Sequence, residues 1–239
     1  MSEPTYKLTV LISGNGTNLQ ALINACASSA LPSTRIIRVI SNRKSAYGLT
    51  RAAAASIPTT YHNLIPYKKQ HPDTPAGISA ARSAYDADLA ALILADAPSL
   101  AVCAGWMHIL APSFLAPLAA AGVPVINLHP ALPGEFAGAG AIERAWEAFR
   151  KGEIKRTGIM IHEVIAEVDA GRAIVVEEVE MREGETLEEL EKRMHKVEHG
   201  LIVEGTRRAL KEIGERREKE RGEGEGEGEG EGEGEGEGR

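Results

Sequence analysis

Residues 7–18 read KLTVLISGNGTN, an apolar run that stops at a Gly-rich turn. Lys7 to Ile12 reads as the first strand of the chain. Past the turn, Leu19, Leu22, Ile23 and Cys26 fall at i, i+3, i+4 and i+7, one apolar face of a helix. A strand that feeds a helix through a Gly-rich turn is the opening unit of a doubly wound sheet.

The alternation continues outward. Ile36–Ser41 reads as a second strand and Tyr47–Ser56 as a second helix. Residues 62–77 lack periodicity and read as a loop, a candidate insertion, before a helix over Ile78–Ala95. Leu100–Ala104 and Val123–Asn127 are further strands, separated by a short helix with Phe114 and Leu118. Ala141–Arg150 is expected to be helical. Two β-rich runs, Gly158–Val164 and Ala173–Met181, are joined by IAEVDAGR, a hairpin-like connection. Thr186 and Glu189 have the spacing of a capping box, opening a long helix to about Ile213. The fold class expected is a single α/β domain over residues 1–213 with a doubly wound, mainly parallel sheet. Residues 214–239, charged and ending in Gly-Glu repeats, are expected to be a disordered tail.

Composition narrows the function. Of 239 residues 43% are hydrophobic, enough for one core, and the net charge is -7. Residues 222–239 hold eight of the 34 acidic residues and one of the 27 basic ones, so the remaining 221 balance at 26 of each. A neutral body argues against a nucleic-acid footprint and for small-molecule partners. No apolar run approaches the roughly 20 residues of a membrane helix, and no basic region leads into an apolar leader, so a cytoplasmic protein is expected. Cys26 and Cys103 read as buried thiols rather than a disulfide or metal pair, and no metal-ligand cluster is visible.

Three constellations carry chemistry. Ser13-Gly14-Asn15-Gly16-Thr17-Asn18 lies where backbone amides at a helix N-terminus favour an anion. It is not a dinucleotide fingerprint, because Leu19 stands where the third Gly belongs and Asn42 follows the second strand where a ribose-binding acid belongs. A tight turn without a ligand is the alternative. Asn127 and His129, in Val125-Ile126-Asn127-Leu128-His129-Pro130, share one side of a strand end. An amide can donate there to a developing oxyanion while an imidazole shuttles a proton; a histidine that merely ends a strand is the alternative. Asp169 sits at a turn and becomes catalytic only if it meets His129. Glu198-His199 reads as a helix face, and Trp106 to Leu110 as pocket wall or core.

Taken together, VLISGNGTNLQALI, AGWMHIL, INLHPALPGEF and EVDAGRAIVVEEVE resemble the phosphoribosylglycinamide formyltransferases of the folate-dependent formyltransferase family, over about residues 7–205. The resemblance implies a Rossmann-like formyltransferase fold. It implies transfer of the formyl group of 10-formyltetrahydrofolate to the amine of 5-phosphoribosylglycinamide in de novo purine biosynthesis, without a metal. Asn127, His129 and Asp169 match the family's catalytic trio. Gly16, Thr17, Asn18 and Glu198 match residues that bind the phosphoribosyl substrate. On the folate side the matches are Arg82, Met107, His108, Ile109, Leu110, Asn127, Ile165, Ala166, Glu167, Val168 and Asp169. In the mechanism so implied, Asn127 and a protonated His129 stabilise the oxyanion and Asp169 keeps His129 charged. His108 stands where an Arg is common, and the 131–140 loop, ALPGEFAGAG, lacks a Lys-x-x-Gly stretch carried by many relatives. Relatives with the same trio, a formyltetrahydrofolate hydrolase and a methionyl-tRNA formyltransferase, are expected to carry an added domain that is not seen here. A phosphate-binding regulatory module without catalysis is the reading from another class.

Overall fold

The computed structural model describes residues 6–226. Along the chain run β1 (Tyr6–Ile12), α1 (Thr17–Cys26), β2 (Thr34–Ser41), α2 (Tyr47–Ala54), β3 (Thr59–Tyr61), α3 (Leu64–Lys69) and α4 (Pro75–Leu94). They are followed by β4 (Leu100–Cys103), α5 (Pro112–Ala120), β5 (Val125–His129), α6 (Ala141–Arg150), β6 (Arg156–Glu163), β7 (Ala173–Glu180) and α7 (Leu187–Gly226). The strands form one sheet in the order β3-β2-β1-β4-β5-β6-β7. The first five are parallel, and β6 and β7 close the sheet antiparallel.

Alternation along the central strands divides the core into two layers. Leu8, Val10 and Ile12 of β1 pack with α1 and α7 on one face, while Leu11 packs with α4 and α5 on the other. These four are fully buried, and each contributes about 1.5–3 kcal/mol of transfer free energy. Chain order reverses between β1 and β4, which opens a crevice beyond their carboxyl ends.

The structure departs from expectation in places with physical causes. The segment 62–77 is not a plain loop. It contains α3, capped by Asn63, whose side chain accepts from the Ile65 amide, and the start of α4, capped by Thr74. The edge strand β3 is three residues long and mostly exposed, so it leaves no apolar pattern. The last helix does begin at the expected capping box, with Thr186 and Glu189 bonding reciprocally at 2.9 and 3.3 Å. It runs on to Gly226, past the expected end at Ile213, while residues 227–239 of the expected tail lie outside the described residues. Both cysteines are free; Cys103 is buried but Cys26 only partly so.

Candidate active site

The crevice is a cavity of about 840 Å³ with walls from both halves of the sheet. One end is the loop after β1. Gly16 adopts a left-handed conformation (φ 74°) as the residue preceding α1, and a Cβ there would lie 2.6 Å from Gly48 Cα. The loop can therefore sit down on α2 only because both positions are glycine. The Gly48 amide donates to Gly14 O at 3.1 Å, and Arg51 ties down the Asn15 carbonyl at 2.9 Å. Gly16, Thr17 and Asn18 at the start of α1 line the cavity, and a helix N-terminus of this kind favours an anion. Asn18 Nδ2 donates to Glu198 Oε2 at 2.9 Å, and Glu198, far from a solvated face, is 5% exposed. Gly16, Thr17, Asn18 and Glu198 thus share one end of the cavity.

At the centre, β5 delivers Asn127 and His129 on the face that also carries Val125. Asp169 arrives from the loop between β6 and β7 in a left-handed conformation (φ 54°), which Asp tolerates better than most residues. Gly171 makes this turn possible, since a Cβ there would lie 1.8 Å from the Glu163 carbonyl oxygen. Asp169 Oδ2 accepts the Gly138 amide at 2.8 Å and lies 3.3 Å from His129 Nδ1. Its Oδ1 lies 3.4 Å from His162 Nε2.

His162 escaped the sequence reading, because a lone histidine in the apolar run Gly158–Val164 has no local signature. Only the antiparallel register, which sets Asn127 opposite His162, reveals it. It is 2% exposed. Its Nδ1 lies 2.8 Å from Glu163 O, an acceptor, so Nδ1 carries hydrogen. Nε2 faces the Asn127 amide nitrogen at 3.2 Å. The second Asn127 contact, to Asp169 Oδ1, is 3.5 Å, at the limit for a hydrogen bond. The Asn127 amide nitrogen thus has two neighbours, of which Asp169 is the more weakly held.

His129 is 4% exposed, and its Nε2 is buried without a partner among the described residues. Burial pushes its pKa down. Asp169 pulls it back, His162 pushes it down further, and the Glu135 and Phe136 carbonyls raise it, with a net lowering. For Asp169, burial alone would raise the carboxyl. The two neighbouring imidazoles, His162 first, and the Gly138 amide outweigh it and hold the carboxyl below the usual range. Asp169 thus raises His129 without offsetting its burial, and the net direction favours the neutral imidazole. In that form the ring sets Nδ1 toward Asp169 and leaves Nε2 buried without a partner among the described residues. A neutral imidazole so oriented accepts a proton and then becomes a donor.

The opposite end is apolar. Met107, Ile109, Ile165 and Val168 are exposed at its rim, although large apolar side chains are usually covered. Leu110, Ala166, Glu167 and Arg82 line it with them, and Leu64 of α3 joins the wall. His108 also lines it, but its side chain turns to Asp86, with Nε2 at 2.7 Å from Oδ1. Helix α7 adds Glu191 and His195, two turns and one turn before Glu198, a face the sequence reading passed over. Cys103 borders the cavity as a thiol pushed up by burial to about 12, too weakly acidic for a nucleophile.

The formyl transferase family model matches residues 6–206. A phosphoribosylglycinamide formyltransferase of Schizosaccharomyces pombe is 51% identical over 198 residues, 82% of this chain and 93% of that protein. One from Saccharomyces cerevisiae is 46% identical over 212 residues, 87% and 98% of the two chains. Among solved structures, glycinamide ribonucleotide transformylase 1 from Symbiobacterium toebii superposes with a TM-score of 0.72 at 31% identity, covering 86% of this chain and 88% of that one.

Proposed function

The chain belongs to the formyl transferase family, and from that premise we propose that it moves a formyl group from 10-formyltetrahydrofolate to the amine of 5-phosphoribosylglycinamide. The products are formylglycinamide ribonucleotide and tetrahydrofolate, a step of de novo purine biosynthesis. The observation that carries this reading is a single cavity joining an anion-binding helix terminus to an amide, an imidazole and a carboxylate, with an apolar slot beyond. Phosphate fits the α1 terminus, ribose hydroxyls fit Glu198, and a flat heteroaromatic donor fits between Met107, Ile109, Ile165 and Val168. Arg82, which has no hydrogen-bond or ion-pair partner among the described residues, lies on the donor side.

Each residue then has one task. The glycinamide nitrogen attacks the formyl carbon, and the amide hydrogen that Asn127 shares only weakly with Asp169 turns to the oxygen as it gains charge. His129 Nε2 takes the proton that the attacking nitrogen loses, and the imidazolium so formed is stabilised by Asp169. As the carbon–N10 bond breaks, that proton passes to N10 of the departing tetrahydrofolate. His162 holds Asn127 and Asp169 in register and touches neither substrate. In this reading the catalytic unit lies within residues 1–213. No helix among the described residues is long and apolar enough to cross a membrane.

The test is to follow a labelled formyl carbon. Label recovered on the acceptor amine supports the transferase. Label released as formate with the donor alone supports a hydrolase instead, and no movement of label supports the regulatory-module reading.

A further inference from the structure

Between β4 and α5 the chain runs through residues 105–111 without a helix or strand. Met107 and Ile109 are 59% and 56% exposed and line the cavity, whereas the His108 side chain between them is only 7% exposed. Side chains so exposed have little packing to fix them, so their placement depends on what holds the backbone.

Two latches hold it. At the near end Ser13 Oγ accepts the Met107 amide at 2.7 Å, and the Ser13 amide donates to Gly105 O at 2.9 Å. At the far end stands Asp86 of α4, wholly buried, with both oxygens engaged. Oδ1 accepts from His108 Nε2 at 2.7 Å and Oδ2 accepts the Ala111 amide at 2.7 Å. The His108 ring also stands edge-on to Tyr85, with centroids 5.0 Å apart. A buried carboxylate is retained at a cost unless its partners are in place, so this pair resists separation.

We infer that the Asp86–His108 pair is a positioning device for the formyl donor. It pins the 105–111 backbone so that Met107 and Ile109 present a fixed apolar wall, and His108 itself touches no substrate. This rests on the folate-dependent reading above, and it replaces the expectation that His108 is a donor contact. The acceptor end of the cavity, built on α1 and α7, does not depend on the pair.

The test is steady-state kinetics with donor and acceptor varied separately, alongside thermal unfolding. His108→Ala is expected to raise the donor KM about tenfold or more while the acceptor KM stays within about twofold. His108→Gln places an amide nitrogen where Nε2 lies and is expected to keep the donor KM within about threefold of wild type. An unchanged donor KM in His108→Ala, or both KM values rising together, overturns the inference. Should His108→Ala fail to fold, Asp86→Asn is read in its place, with the same donor-selective rise expected and an unchanged donor KM overturning it. A wild-type protein that consumes no folate donor would instead defeat the functional reading.

Discussion

His129 ends β5 with a buried Nε2 that has no partner among the described residues and a carboxylate 3.3 Å from its Nδ1. Because its pKa is lowered, the ring stays neutral above a value below the ordinary ~6.5. Activity that needs a neutral Nε2 is then lost as pH falls through that depressed value. The acid limb of kcat/KM is expected below about pH 6.5, and a limb clearly above it would refute the neutral resting state. Asp169→Asn removes the charge that raises His129, so the limb should move lower still. Truncating a donor or proton shuttle here, as in Asn127→Ala or His129→Ala, is expected to lower kcat on the order of a hundredfold to a thousandfold. Near-wild-type turnover in either variant contradicts the assigned roles. Asn127 and His129 were legible because an apolar strand running into an amide and an imidazole is a local pattern. His162 was not, because its importance comes from a neighbouring strand's register rather than its own sequence context.

At the scale of elements, the turn that presents Asp169 depends on Gly171. Gly171→Ala would drive a methyl into the Glu163 carbonyl, shifting the turn and Asp169 with it. A displacement of about 1 Å can cost about a hundredfold, so this variant should lose kcat with the fold retained, as circular dichroism and kinetics together would show. A variant with wild-type kcat would mean that the turn does not set the carboxylate. Helix α7 makes a second prediction. Beyond Ile213, Arg216 reaches Gly122 O at 3.1 Å and Arg217 reaches Ser99 Oγ at 3.3 Å. Truncation after residue 213 should therefore cost about 1–2 kcal/mol, seen as a Tm lower by a few degrees, with kcat unchanged. Lost activity would place the catalytic boundary further along the chain. The helix outlasts its apolar face because charged pairs such as Lys211–Glu215 and Arg216–Glu220 carry it. Periodicity alone hid that extension, as it hid the short, exposed β3 and α3.

For the whole molecule, the sheet order and the reversal between β1 and β4 explain why residues more than a hundred positions apart converge. The loop after β1, the end of β5 and the turn after β6 all open into one crevice. Four of the five parallel strands were readable because buried strands leave apolar runs, which the short, exposed β3 does not. The convergence of Asn18 with Glu198, and of His129 with Asp169, required the folded sheet and its crossovers. In the proposed reaction one cavity of about 840 Å³, running from the start of α1 to an apolar slot, takes both substrates together. Cys103, the thiol at the cavity, is too weakly acidic to carry the formyl group between them. The most direct measurement is therefore the initial-velocity pattern with 10-formyltetrahydrofolate and glycinamide ribonucleotide varied against each other. Direct transfer predicts intersecting double-reciprocal lines and no donor consumption without acceptor. Parallel lines, or donor consumed alone at the full rate, would contradict it.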